Sequence, residues 1–432
     1  MRASAPVVGI AGGGISGLFL LHLVRAAGLE AILFERSSSV GGVMRSRFVE
    51  GPDGRVPVDL GPQRMRLSGA FAELSEELGL ASAIRSAPSR LPFTIYWNGT
   101  LHPVPLSVRD ALTTRLVSWR GKLRALGDLL SAPPAPGESV AQALRRKLGP
   151  EIYTRLAGPI IGGLYASEPE EMDAGRTLLP ALRRAGARRS LLAALRKAAR
   201  GEKAPVVSFA EGMGALPRAL ARRHRDHIRL ETPVLGVRSR GRRGFRLTSG
   251  AGEVEVDALA LCVPAPEAAR ILRSCAPEAA AAIGSLRYNP LALVPVIATG
   301  NARLARAGSG FKMTLDDDAL TRGVTSHDRL FGRTGLFTAF LGGMGREACL
   351  EQPDDRLLAA ARADFARVTG ADAHPLFVHR TAMPAWDRSW RFLDSVRLPK
   401  GIHLCSAFSG RPGITGRWHD ARRVARVLLD GM

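Results

Sequence analysis

Gly12, Gly14 and Gly17 stand in a Gly-x-Gly-x-x-Gly pattern, and Glu35 follows Gly17 by 18 residues. The spacing suits a dinucleotide. Gly12 permits a tight turn, Gly14 leaves no side chain in the path of an approaching diphosphate, and Gly17 lets helix and strand pack closely. Unpaired N–H groups at a helix start, here around Ile15 and Ser16, carry partial positive charge and attract phosphate. A carboxylate at Glu35 can accept hydrogen bonds from ribose hydroxyls. This chemistry needs particular elements around it. Pro6–Ala11 reads as a short buried strand, Leu18–Ala27 as an apolar helix, and Ala31–Phe34 as a second strand that ends at the acid. Strand, glycine turn, helix, strand and acid follow the order of a βαβ unit, so the fold class expected is α/β with a Rossmann-like part.

A second pair of glycines follows. Arg36 leads through three serines and Val40 to Gly41 and Gly42. A double glycine just past the ribose acid resembles the extended FAD motif of the amine-oxidase-like flavoproteins. Such a turn would bring further backbone N–H groups toward the diphosphate. The resemblance implies FAD as cofactor, with Arg36, Gly41 and Gly42 beside it.

Later segments narrow the resemblance. Val58–Pro62 resembles the D-x-G-P stretch of the protoporphyrinogen and coproporphyrinogen oxidases, within the flavin amine oxidase superfamily. Phe93–Pro105 is similar to that family's strand, Asn-Gly turn and proline-bounded exit, and Asn98-Gly99 between β-rich runs is itself a hairpin signal. Glu138–Val140 with Leu148-Gly149, Ile161–Ala166 and Leu336–Gly343 resemble further family segments, collinearly over nearly the whole chain. The last segment, Cys405–Gly416, departs: Ser406 stands for a glycine and Ala407 for an asparagine, while Gly413, Ile414 and Thr415 keep a turn able to face a flavin.

The resemblance implies a Rossmann-like FAD domain of discontinuous segments (1–88, 204–266 and 395–432), a helical insert (106–200) and a mixed-sheet substrate domain (89–105 and 267–394). It implies FAD-dependent oxidation of a porphyrinogen to a porphyrin: hydride leaves a meso carbon for the flavin and a ring N–H proton is lost. Gly61 and Pro62 would lie by the flavin. Leu330 and Phe340 match apolar residues that line the family's pocket, and Arg66 and Arg90 are the cations for a propionate, since a guanidinium can hold a carboxylate through two hydrogen bonds. Phe93 stands where the family has an arginine, and Thr314 where a pocket leucine is usual. The alternatives are a flavin amine oxidase or desaturase for another apolar substrate, and a non-catalytic flavin-binding paralogue. No GxSxG or HExxH pattern occurs, and no residue reads as a catalytic acid, base or nucleophile. His419 reads as a helix-surface histidine.

Composition bounds the partners. The 432 residues are 46% hydrophobic and 23% charged, an ordinary globular balance. Net charge is +22, and only six of the 61 basic residues are lysines. Arginine excess accords with codon bias; its functional reading is attraction to an anionic membrane surface or a multiply anionic substrate. Aromatic content of 6% argues against nucleic acid as a partner. The four cysteines form no CxxC pair, which argues against a disulfide framework and against a metal site and accords with a reducing cytoplasm. The run Ala3–Val24 lacks charge, but its five glycines argue against a membrane span. The protein is therefore expected in the cytoplasm, peripheral to the inner face of the cell membrane through Arg-rich helices near Arg183–Arg200, with a tetrapyrrole-like small molecule as substrate.

Overall fold

A computed structural model describes residues 6–200, 204–241, 244–300 and 302–431. Ala3–Ala5 of the uncharged run, and the first and last residues of the FAD segments expected from sequence, lie outside it. The N-terminal unit is β1 (Val7–Ala11), α1 (Ile15–Ala26) and β2 (Glu30–Phe34). β1 lies at the centre of a five-stranded parallel sheet. β2 and Ile228–Arg229 stand on one side of it, Ala258–Leu261 and Ile402–Leu404 on the other. Such strands are covered on both faces and so read as unbroken apolar runs. One face packs under α1, the Ala215–Arg223 helix and the C-terminal Gly413–Gly431 helix; the other meets the antiparallel meander of residues 234–256 and the Ala265–Leu272 helix.

The apolar run Val254–Val263 forms two strands. Gly252–Val256 closes the meander and Ala258–Leu261 joins the parallel sheet. Asp257 makes the crossing. Its amide donates to the Val7 carbonyl at 2.8 Å, and its carboxylate accepts from the Val7 amide at 2.7 Å. Composition could not separate the two because both halves are apolar and β-prone.

The second large sheet has eight strands. Tyr288–Ala298, Leu336–Gly342, Thr321–Ser326 and Gly310–Met313 pair antiparallel in that order. The hairpin Thr94–Trp97 and Thr100–Pro103 then adds on, with Phe311–Met313 parallel to Thr94–Tyr96. Asn98 and Gly99, at φ of 49° and 74°, make the two-residue turn with both central residues left-handed. The Asp354–Thr369 helix buries Leu357, Ala361, Phe365 and Val368 against this sheet.

Residues 108–200 are mainly helical. Ser139 and Gln142 close a capping box at the Val140–Leu148 helix. From that helix the fully buried Lys147 pairs with Asp128 at 2.9 Å. Asp128 is further held by the Ser190 hydroxyl at 2.6 Å and the Leu192 amide at 2.8 Å, so the ion pair has hydrogen-bonding support on both sides. Among the described residues no helix is long and apolar enough to cross a membrane.

Candidate active site

The three glycines of the first turn do three different things. Gly12 has φ of 110°, and a Cβ there would lie 2.9 Å from the Cys262 backbone. At Gly17 a Cβ would lie 2.0 Å from the Gly12 carbonyl oxygen, so α1 sits against the turn only because Gly17 has no side chain. Gly14 differs from both. Its φ of −69° is open to any residue, and a Cβ there would meet nothing within 4 Å. Neither backbone nor packing requires glycine at 14; open space at the start of α1 is what it leaves.

The acid lies against this space. Glu35 is buried, and its carboxylate accepts from the Gly13 amide at 2.7 Å and the Ser37 amide at 2.8 Å. The second glycine turn closes over the first. The Gly41 amide donates to the Gly13 carbonyl at 2.8 Å, Gly41 and Gly42 have φ of 110° and 58°, and a Cβ on Gly42 would come within 3.3 Å of the Gly14 Cα. Ser16 is buried and Ile15 partly so. Arg36 points outward to Glu267 at 3.2 Å. These residues suit a diphosphate: open space, a helix start, a carboxylate held near a ribose position and a second turn of amides.

Asp59, Gly61 and Pro62 continue from here. A Cβ on Gly61 would lie 2.1 Å from the Val43 carbonyl oxygen, which puts this loop directly against the double-glycine segment. Asp59 is a buried hub. It accepts from the Ser46 hydroxyl at 2.6 Å, the Met213 amide at 2.7 Å and Arg333 at 2.8 Å. Arg333, itself buried, also donates to Pro57, Ser208 and Phe209. Sequence reading missed Arg333, since one arginine among so many carries no signal of burial.

The C-terminal helix starts at Gly413, φ 79°, with Ile414 buried and Thr415 partly buried in its first turn, where N–H groups have no intrahelical acceptor. A Cβ on Gly416 would lie 2.1 Å from the Arg411 carbonyl oxygen, so the loop folds tightly back on the helix start. Trp418 fixes the helix to α1, meeting Phe19 edge-on at 5.0 Å between ring centres. Ser406, the departure noted in sequence, donates its hydroxyl to the Val263 carbonyl at 2.5 Å and so ties this loop to the parallel sheet. His419 is exposed on the helix surface.

The residues expected to meet substrate are spread out. Phe340, partly buried in its strand, packs with Ala166, Leu291, Leu293 and Met383. Leu330 is buried in the short His327–Phe331 helix, which packs on Ile84–Ser86, and does not join Phe340. Arg66 is exposed and donates to the Ala204 carbonyl at 2.8 Å; Arg90 is exposed. Thr314 is buried, and its carbonyl accepts from Arg322 at 2.8 Å.

Two other cations are crowded by protein. Arg64 is accessible to solvent, yet protein crowds it closely enough for desolvation to lower its pKa, with Arg66 adding to the effect. Lys312 is only partly accessible, and burial pushes its pKa down to about 8, assisted by Arg322 and Arg64. The Lys312 side chain lies against the Gly158–Tyr165 helix, where a Cβ on Gly163 would be 1.8 Å from its Nζ, and against Gly323 on the neighbouring strand. The signal in the sequence was a lysine, rare in this chain, inside an otherwise apolar strand. Among the described residues no group of His, Cys, Asp and Glu could hold a metal ion.

Known proteins share this arrangement. Protoporphyrinogen oxidase 1 of Spinacia oleracea chloroplasts is 26% identical over 399 residues, covering 83% of this chain and 70% of that one. Three further plant relatives are spanned over 56–59% of their length. Coproporphyrinogen III oxidase of Mycobacterium tuberculosis (strain ATCC 25618 / H37Rv) is 29% identical over 392 residues, 85% of this chain and 84% of its own. A crystal structure from Exiguobacterium sp. 255-15, provisionally described as a protoporphyrinogen oxidase, superposes with a TM-score of 0.79 over both whole chains at 21% identity. The family model for flavin-containing amine oxidoreductases matches residues 15–424, and its cofactor suits the glycine cradle at Gly14. The chain therefore belongs to the flavin-containing amine oxidoreductase family and is an FAD-dependent oxidoreductase.

Proposed function

We propose that this protein oxidises a porphyrinogen to a porphyrin in tetrapyrrole biosynthesis. The observation that carries the reading is the similarity to coproporphyrinogen III oxidase, 29% identical over 85% of this chain and 84% of that one. Bound FAD would supply the two-electron acceptor. The protein's own residues bind and orient. The glycine turns and Glu35 hold the dinucleotide end, and the macrocycle is taken up beside Gly61 and Pro62. A yellow purified protein mixed anaerobically with coproporphyrinogen III or protoporphyrinogen IX should lose its visible flavin absorption as porphyrin fluorescence rises. A flavin that neither compound bleaches overturns the reading.

The same reading includes a peripheral seat on an anionic membrane at the inner face of the cell membrane. Support comes from the Val108–Thr113 and Trp119–Ala125 helices and the turn after them. Leu106, Val108, Trp119, Leu123 and Leu130 are exposed there, the last at 82%. Lys122 holds the two helices together through the Leu112 and Thr114 carbonyls and stacks over Trp119 at 4.5 Å. Exposed apolar side chains with arginines and a lysine between them suit a headgroup boundary. Flotation with phosphatidylglycerol vesicles should carry the protein, salt should release it, and Leu123→Ser with Leu130→Ser should weaken binding. Equal recovery of wild type and double variant removes this patch from the account.

A further inference from the structure

Two cysteines stand side by side beneath the dinucleotide turn. Strand register pairs Leu261 with Leu404, so Cys262 and Cys405 come next on neighbouring parallel strands. The Cys405 amide continues the ladder, donating to the Leu261 carbonyl at 3.0 Å. One residue further on, the Ser406 hydroxyl donates to the Val263 carbonyl at 2.5 Å. Tied neighbours on both sides thus hold the two cysteines opposite each other, although they lie far apart in the chain. Both are buried free thiols in the same core cluster, so their side chains leave the sheet on one face. Neighbouring strands lie about 4.8 Å apart, inside the span that a disulfide bridges between Cα atoms. The Cys262 thiol donates to the Cys405 sulfur, and this bond, then burial, raises its pKa well above the usual thiol value while Arg417 opposes the rise. Arg417 is itself buried, its charge acts on both sulfurs, and its Nη1 has no acceptor among the described residues. A cation with a spare N–H beside a thiol favours the thiolate, the reactive form.

The flavin side rests directly on this pair. The Cys262 amide donates to the Ala11 carbonyl at 2.7 Å. A Cβ on Gly12 would lie 2.9 Å from the Cys262 carbonyl, and one on Gly17 would lie 3.3 Å from the Cys262 Cβ. We infer that Cys262 and Cys405 form a reversible oxidation site that controls flavin loading: as thiols they leave the dinucleotide turn in place, and as a disulfide they displace it. The oxidant is hydrogen peroxide. One sulfur takes an oxygen from it as the O–O bond breaks and a first water leaves. The other sulfur displaces that oxygen as a second water, so two thiols are oxidised to one S–S bond and one peroxide is reduced to two waters. Bonded Cβ atoms sit about 3.8 Å apart, closer than the strand spacing, so closure draws the strand ends together by about 1 Å. The Gly12 turn is packed on Cys262 without slack and must move with it. The inference uses the flavin site alone and does not depend on the porphyrinogen reading.

The full-length protein, freed of flavin and treated with hydrogen peroxide, tests it. Free thiols counted after unfolding should fall from four to two, the mass should fall by two hydrogens, and peptide mapping should join Cys262 to Cys405. FAD affinity, followed by quenching of flavin fluorescence, should fall by about ten- to a hundredfold, the value of one charge-assisted hydrogen bond to the diphosphate. Dithiothreitol should restore both thiols and affinity. Cys262→Ala and Cys405→Ala should each bind FAD like reduced wild type and keep that affinity through peroxide treatment; wild type alone carries the test should a variant fail to fold. Four thiols left after peroxide, a bond to Cys275 or Cys349, or oxygen added to a sulfur in place of the bond overturns the site. A Cys262–Cys405 disulfide that leaves FAD affinity unchanged, or a variant whose affinity still falls under peroxide, overturns its control of loading.

Discussion

A methyl group added at Gly14 and one added at Gly17 would meet opposite surroundings, and this separates cofactor binding from folding. At Gly14 the space is open and the backbone ordinary, so Gly14→Val should leave the apoprotein's stability within about 0.5 kcal/mol while flavin content after purification falls sharply. At Gly17 the carbonyl of Gly12 occupies the position, so Gly17→Ala should cost about 1–3 kcal/mol or more through overpacking. Absorbance ratio and thermal melting measure both; equal loss of stability in the two variants would contradict the assignment. At this scale the dinucleotide turn was legible because its chemistry is local: each glycine acts on atoms within a few residues or on the neighbouring strand. Arg333 was not legible. Its burial is created by segments more than a hundred residues away, and an arginine-rich sequence hides the few that turn inward.

Among the elements, α1 and the Ala215–Arg223 helix meet through a histidine pair. His22 Nδ1 lies 3.1 Å from His224 Nε2. Burial, then the charge of His22, push the His224 pKa down to about 4, and burial lowers His22 as well, although Glu77 at 3.5 Å opposes this. The unfolded chain binds a proton near pH 6.5, while the folded one resists until about 4. Stability from this contact is complete above pH 6.5 and drains away as pH falls toward 4. Melting temperature measured from pH 7.5 to 4.5 should decline more steeply in wild type than in His224→Gln; parallel curves would remove the pair from the acid response. The same scale shows what periodicity can and cannot give. The hairpin at Asn98-Gly99 and the helix start at Ser139 were readable because turn and cap chemistry are local. The break at Asp257 was not, since the Val7 backbone that causes it lies 250 residues earlier.

For the molecule as a whole, the buried Asp59–Arg333 pair links the flavin side to the eight-stranded sheet. Asp59 joins the double-glycine segment to Met213, and Arg333 precedes the Leu336–Gly342 strand. Asp59→Asn would strand a buried guanidinium at a cost of about 3–5 kcal/mol, part of which a second change, Arg333→Met, should recover. Urea midpoints of the two variants check this; a double variant no more stable than the single would mean that hydrogen bonding, not charge, holds the junction. The family's overall course was legible in the ordered motifs, whereas the partners across this junction were not, because no local pattern marks a long-range ion pair. The parallel sheet carries one more consequence, for the order of synthesis. Strand β1 is made long before its second neighbour, Ala258–Leu261, and the strand beyond that, Ile402–Leu404. The nascent βαβ unit must therefore wait with one flank bare while more than two hundred residues emerge. Its uncharged, glycine-rich stretch needs cover in that interval, and firm capture of the flavin waits for the Gly413–Gly431 helix.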